Sequence, residues 1–423
     1  MPERSFNESN VESMRAAVTE IMNATPVTDV HTHLYTPVFG DLLLWGIDET
    51  ITYHYLIAEV LRASQIPYDA YWALSKTDQA DLIWRELYLD RSPFSEACRG
   101  PLTVLNRLGL DVASRDLDAY RAYFEQQDVN AYIDIVFQKA NVSSVVMTND
   151  PFDDIERPVW ERGVAIDKRF HAALRIDPLL TAWESASDRL AELGYKVTPV
   201  LDATTLAEVR RFLDDWIERM DALYMAVSLS PAFTFPDESP CSTLIAEAVL
   251  PVARERNIPF AMMIGVKRKV NPALRLAADG VGASDVGAVE RMCAAYPDNK
   301  FMVTMLAREN QHELCIAARK FRNLFLFGCW WFLNDPSLIE EMTRMRFELL
   351  GSSVLPQHSD ARILDQLIYK WSHSRAIIGR VLADKYADLI ATGWTLTESE
   401  IRRDVARLLG ENFWTFIGRE NGD

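Results

Sequence analysis

Eight short runs rich in apolar and β-branched residues recur along the chain, most of them separated by stretches with helical spacing. The runs are PVTDVHTH (26–33), VSSVVMTND (142–150), FHAALRID (170–177), LYMAVSLSP (223–231), IPFAMMIG (258–265), KFMVTMLA (300–307), LFLFGCW (324–330) and SSVLPQHSD (352–360). They are continuous apolar runs more than clean alternations, as strands buried on both faces of a parallel sheet should be. Between them, PLLTAWESASDRLAEL (178–193), TTLAEVRRFLDDWIERM (204–220) and STLIAEAVLPVARERN (242–257) place apolar residues three and four apart, the period of an amphipathic helix. SDVGAVERMCAAYP and ENQHELCIAARKF continue the alternation. Strands alternating with helices in this number predict an α/β fold, the (β/α)8 TIM barrel. An open doubly wound sheet would alternate too, but no G-x-G-x-x-G follows the first run.

Two regions exceed the minimal barrel. Residues 38–141, between the first two strands, read as helices in DETITYHYLIAEVLRAS, AYWALSKTDQADLIWRELY and SRDLDAYRAYFEQQDVNAYIDIVFQKA. Residues 361–423, after the eighth strand, are also helical in pattern. The expected organisation is therefore an N-terminal helix and strand one over 1–37, an inserted helical subdomain over 38–141, and the rest of the barrel with its C-terminal helices over 142–423.

The formal net charge of -17 repels nucleic acid and anionic lipid at long range, and no Lys/Arg block offsets it. A few arginines inside a cleft can still dominate locally and hold an anionic substrate. The five cysteines form no C-x-x-C pair, which suits reduced thiols in a cytoplasmic protein. The polar start MPERSFNESNVESMRAAV has no apolar signal core, and no apolar run is long enough to span a membrane. No nucleic-acid or membrane partner is expected.

In such a barrel the residues that close each strand face the site. Strand one closes on His31-Thr32-His33, and in an extended chain residues i and i+2 point the same way. Two imidazoles converging there suit Zn, Fe, Mn or Ni; the plain alternative is two hydrogen-bonded polar residues. Strand eight closes on His358-Ser359-Asp360-Ala361-Arg362. Asp360 can serve as metal ligand, general base or both, and Arg362 can grip an anionic group with a bidentate fork; the plain alternative is an Asp360–Arg362 ion pair. Arg175 closes strand three and needs an anionic partner, which is either a substrate carboxylate or a neighbour such as Asp177 or Asp150. Thr148-Asn149-Asp150-Pro151 after strand two can place polar groups at the mouth. In the insert, Tyr53-His54-Tyr55 can supply acid and base groups, or simply form a half-buried aromatic cluster.

Taken together, H-x-H after strand one, DETITYHYLIAEVLR, MTNDPFDD, FHAALRIDP, GCWWF and H-S-D-A-R after strand eight resemble the uronate isomerase (glucuronate isomerase) family of the amidohydrolase superfamily. The resemblance runs from about residue 20 to 418. It implies a cytoplasmic enzyme of carbohydrate metabolism that interconverts D-glucuronate with D-fructuronate, or D-galacturonate with D-tagaturonate. It also implies a homo-oligomer acting on a small uronic acid. By this resemblance His31, His33 and Asp360 bind a divalent metal, and Asp360 also transfers protons. Arg362 and Arg175 take the substrate carboxylate, and His54 and Tyr55 face the sugar as substrate-binding and catalytic groups. Tyr386 falls where many members carry a tryptophan near the site.

One departure bears on the metal. Many members close strand five with a histidine, in a motif like L-H-I-G, where this chain has Met263. A thioether is a poor ligand for Zn or Mn, so the expected ion, Zn or alternatively Mn, is held by two histidines and one aspartate. Such a site is open, and the metal is weakly bound or dispensable. The expected chemistry is ring opening followed by proton transfer through an enediol, with Tyr55, His54 and Asp360 as the choices of C2 base. A metal-dependent hydrolase of lactones or amides and a non-catalytic sugar-acid-binding barrel are the competing readings.

Overall fold

In a computed structural model, which describes residues 4–420, seven parallel strands lie in one sheet in chain order. They are β1 (Val27–Thr32), β2 (Val142–Asn149), β3 (Phe170–Arg175), β4 (Met225–Leu229), β5 (Phe260–Ile264), β6 (Phe301–Met305) and β7 (Leu324–Leu326). Every neighbouring pair is parallel. Nearly every residue of these strands is buried, which accounts for the continuous apolar runs.

The eighth segment closes the barrel without becoming a regular strand. At its start Gly328 N donates to Leu355 O (2.8 Å) and Leu355 N to Leu326 O (3.1 Å). At its end Asp360 N donates to His31 O (3.2 Å) and His33 N to Ala361 O (2.7 Å). Between these anchors Pro356 has no amide to give a ladder. Side chains take over the remaining backbone groups. Asn334 Nδ2 donates to the carbonyls of His358 (3.2 Å) and Ser359 (3.0 Å), and Ser359 N donates to Asp29 Oδ1 (3.0 Å). The expected eighth strand is thus an extended strap, freed from the ladder where its residues serve the site.

Gly328, at the start of this closure, has φ +68°, and a Cβ there would lie 1.9 Å from Cδ2 of the buried His358. Gly328→Ala is expected to cost about 2–4 kcal/mol, from the left-handed backbone together with a forced shift of His358. Urea unfolding measures this, and a loss under about 1 kcal/mol would show that the strap yields.

Helices sit where the spacing predicts them, with three kinds of difference. The stretch 178–193 is two helices, Asp177–Thr181 and Trp183–Glu192, parted at the non-helical Ala182. Pro240–Leu244 and Leu250–Glu255 are joined by a π-helical turn over Ile245–Val249, just before Pro251 removes an amide. Glu96–Leu108 and Pro336–Leu350 are further helices that the sequence patterns did not single out. The insert contributes, among others, Ile47–Ile51, His54–Ala63 and Lys76–Ile83. Its buried residues Ile51, Leu56 and Val60 belong to the same core as Val18, Val142 and Phe212, so insert and barrel share one apolar interior. A second cluster, including Val30, Val146, Ala173, Met302 and Phe327, fills the barrel itself. Its floor is plugged by Asn412–Ile417, where Trp414 Nε1 donates to Thr28 Oγ1 (3.0 Å). No helix among the described residues is long and apolar enough to cross a membrane.

Candidate active site

A cavity of about 430 Å³ opens at the C-terminal ends of the strands. Strand residues supply most of its base: His31 from β1 with His33 just after it, Thr148 from β2, Arg175 from β3, Ser228 from β4 and Met263 from β5. Asp360 and Arg362 come from the closing strap, and Glu49, Tyr53, His54 and Lys76 from the insert. Trp331, after β7, and Arg268, after β5, complete the rim.

The ligand atoms of His31, His33 and Asp360 all lie within 4.8 Å of one another. Nε2 of His31 is 3.5 Å and Nε2 of His33 is 3.4 Å from Asp360 Oδ1. Both His31 Nε2 and Asp360 Oδ1 are buried with no hydrogen-bond partner among the described residues. Orphaned polar atoms that face one another across such gaps are what a small cation satisfies, so these three residues fit a divalent metal. Asp360 reaches this place through a left-handed backbone, φ +54°, uncommon for any residue but glycine though tolerated by aspartate.

Electrostatics set the protonation states. Burial pushes His31 well below the usual histidine range, with the charge of His358 adding to the shift. Burial alone would raise the Asp360 carboxyl; the imidazoles of His33, His31 and His358 outweigh it and hold it down at about 2. Asp360 is therefore ionised at any working pH. Burial likewise lowers His54 and His358 to about 4, leaving both neutral near pH 7. His54 lines the cavity and its Nε2 has no partner among the described residues, whereas His358 lies behind His31 with ring centroids 5.1 Å apart.

The two arginines differ. Arg362 Nη1 donates to His33 O (3.0 Å) and Leu42 O (3.5 Å), with the guanidinium over the Tyr35 ring at 5.5 Å. Among the described residues no carboxylate lies within 4 Å of it, so the Asp360–Arg362 pair does not form. Arg175 instead pairs bidentately with Asp177, Nε to Oδ2 and Nη2 to Oδ1, both at 3.0 Å. The nearby carboxylate that the sequence offered as its plain partner is the one it meets. Arg175 still lines the cavity, but its charge is already answered.

Tyr55 is not brought into the cavity. It lines a small neighbouring space with Tyr53, Leu56 and Tyr369, and its ring meets that of His54 edge-on at 4.4 Å. Tyr53 takes the wall position. The helix His54–Ala63 begins right after Tyr53, so residue 55 turns about 100° per residue away from the face that residue 53 shows. Burial raises both tyrosines above their ordinary range, which keeps them neutral donors and not bases. Tyr386 also lies elsewhere, its hydroxyl donating to Asp404 at 2.9 Å.

Glu49, Lys76 and Ser228 escaped the sequence reading. Glu49 and Lys76 pair at 2.7 Å across the rim, and i,i+27 spacing carries no local signal of that. Ser228 follows from strand parity: it is opposite Met263 in the register of β4 and β5, so the two face the same side.

No family model matches the chain, and no curated protein does. Solved structures do. A uronate isomerase from Bacillus halodurans C-125 is 58% identical, with 98% of each chain covered and a TM-score of 0.96. A uronate isomerase from Thermotoga maritima covers 95% of this chain and 97% of its own at 14% identity and a TM-score of 0.79. A glucuronate isomerase from Caulobacter crescentus covers 100% and 98% at 15% identity and a TM-score of 0.74. At such identities the last two speak for the fold alone.

Proposed function

The chain belongs to the uronate isomerase family, and we propose that its cavity opens a hexuronate ring and then exchanges the aldehyde at C1 for a ketone at C2. The proposed reactions are D-glucuronate to D-fructuronate and D-galacturonate to D-tagaturonate. One observation carries the assignment of roles: Arg362, a guanidinium with no carboxylate partner among the described residues, shares the cavity with an ionised carboxylate, Asp360, and with neutral His54, whose Nε2 has no hydrogen-bond partner among those residues.

Arg362 binds the C6 carboxylate with the donors it does not spend on His33 O and Leu42 O. Arg175 lines the same cavity, with its charge answered by Asp177. Asp360 accepts the C1 hydroxyl proton as the C1–O5 bond breaks and passes it to the ring oxygen, which becomes the C5 hydroxyl, so the carboxylate is ionised again for the next step. His54 Nε2 takes the proton from C2 and returns it to C1, while the O2 proton passes to O1 by way of Asp360. Atoms and charge balance, since each proton removed is returned. Tyr53 donates to a sugar oxygen, and Tyr55 acts through its contact with His54. His31, His33 and Asp360 would hold a divalent metal, Zn or Mn, whose chemistry when bound is Lewis-acid polarisation of the carbonyl. Met263 leaves that donor set at three, which favours weak binding.

The purified protein should convert D-glucuronate or D-galacturonate to the 2-keto acid. In D2O the product should gain deuterium at C1, because a proton resting on His54 exchanges with solvent. Retention of all the C2 hydrogen would replace the enediol by a hydride shift. No turnover of either acid would overturn the reading.

A further inference from the structure

The two metal-facing histidines are each backed by a hydroxyl that also lies within donating distance of a backbone carbonyl. Tyr224 Oη donates to Val30 O at 2.7 Å and stands 3.3 Å from His31 Nδ1. Thr148 Oγ1 donates to Thr32 O at 3.1 Å and stands 2.7 Å from His33 Nδ1. A carbonyl can only accept, so a hydroxyl that donates to one has only lone pairs left for a second neighbour. Each carbonyl belongs to the residue just before its histidine. The same arrangement therefore occurs twice, at the two-residue repeat of β1, from Thr148 on β2 and from Tyr224 just before β4.

We propose that Tyr224 and Thr148 are positioning residues that hold His31 and His33 with the ring proton on Nδ1, leaving both Nε2 lone pairs aimed at the point beside Asp360. A ligating imidazole is neutral and carries one ring proton, and the hydrogen bond at one nitrogen decides which nitrogen remains free. Asp360 pulls the other way, since its carboxylate favours Nε2–H. Distance decides between them. The Nδ1 contacts, 3.3 and 2.7 Å, are shorter than the 3.5 and 3.4 Å from Nε2 to Asp360 Oδ1. Good N–H···O bonds fall at about 2.7–3.2 Å, so the contrast is sharp at His33, 2.7 Å against 3.4 Å, and narrower at His31, 3.3 Å against 3.5 Å. Both hydroxyls are buried, at 0% and 3% exposure for Tyr224 and Thr148, so water does not compete for these lone pairs.

The proposal rests on the reading of His31, His33 and Asp360 as a metal triad, but the tautomers are observable without a metal. The full chain, labelled with 15N in its seven histidines, is measured by long-range 1H–15N correlation, with His31→Gln and His33→Gln for assignment. In the wild type both rings should be Nδ1–H. Tyr224→Phe should move only His31 to Nε2–H, and Thr148→Val only His33; Thr148→Ser, which keeps the hydroxyl, should leave His33 unchanged. Calorimetric titration with Zn2+ should show affinity lower by about 10–100-fold in Tyr224→Phe and Thr148→Val, and near wild type in Thr148→Ser. Wild-type rings in the Nε2–H form, or tautomers that ignore both substitutions, would overturn the proposal. Tautomers that respond in a protein taking up no Zn2+ would uphold it and overturn the metal reading instead.

Discussion

Arg362→Met is expected to lower kcat/KM for either uronate by about 10²- to 10³-fold while leaving thermal stability nearly unchanged. Methionine is shorter but keeps the apolar stem, so the wall of the cavity stays largely filled. What it loses is the one cavity guanidinium with no carboxylate partner among the described residues. Leaving a desolvated substrate carboxylate unpaired costs about 2–5 kcal/mol, and each 1.4 kcal/mol is tenfold. The loss should fall mainly on KM, because the carboxylate is held alike in substrate and transition state. Arg362→Lys restores charge without the fork and should recover only part of it. Steady-state kinetics with both acids decide the matter. A fall of less than tenfold would hand the carboxylate to Arg175 and require Asp177 to release it.

Asp360→Asn should be more damaging, with turnover reduced by about 10³-fold or more and Zn2+ uptake reduced with it. A positioned proton-transfer group contributes about 10²- to 10⁴-fold, and the same oxygen is one of three metal donors. Asparagine is chosen because it tolerates the left-handed backbone that residue 360 adopts, so the fold should survive. A melting temperature close to wild type, with activity lost, would isolate the chemical role. Retention of more than a tenth of wild-type kcat would shift proton transfer to His54 alone.

Much of this site was legible because barrel geometry turns sequence position into spatial position. Once eight runs are read as strands, the residues closing them must meet at one mouth, and His31, His33, Arg175, Asp360 and Arg362 do line the cavity. Other features depend on distances that spacing does not encode. Whether Arg175 meets Asp177 or a substrate is a matter of rotamers and a few ångströms. Whether Tyr53 or Tyr55 faces the sugar turns on the residue at which a helix begins, and a shift of one or two residues reverses the answer. Glu49 with Lys76, and Tyr224 with Val30, are partners far apart in the chain.

From sequence alone the barrel, the ends of its strands, the replacement of a histidine by Met263 and the family resemblance could all be determined. These follow from periodicity, residue type and order, which are local properties of the chain. Tertiary structure decided that the eighth segment is a strap held by Asp29 and Asn334, that Arg362 is the arginine without a carboxylate partner among the described residues, and that hydroxyls from β2 and from just before β4 stand behind the two histidines. Those outcomes depend on which polar groups come within about 3 Å once the core has closed, and only the folded chain sets such distances.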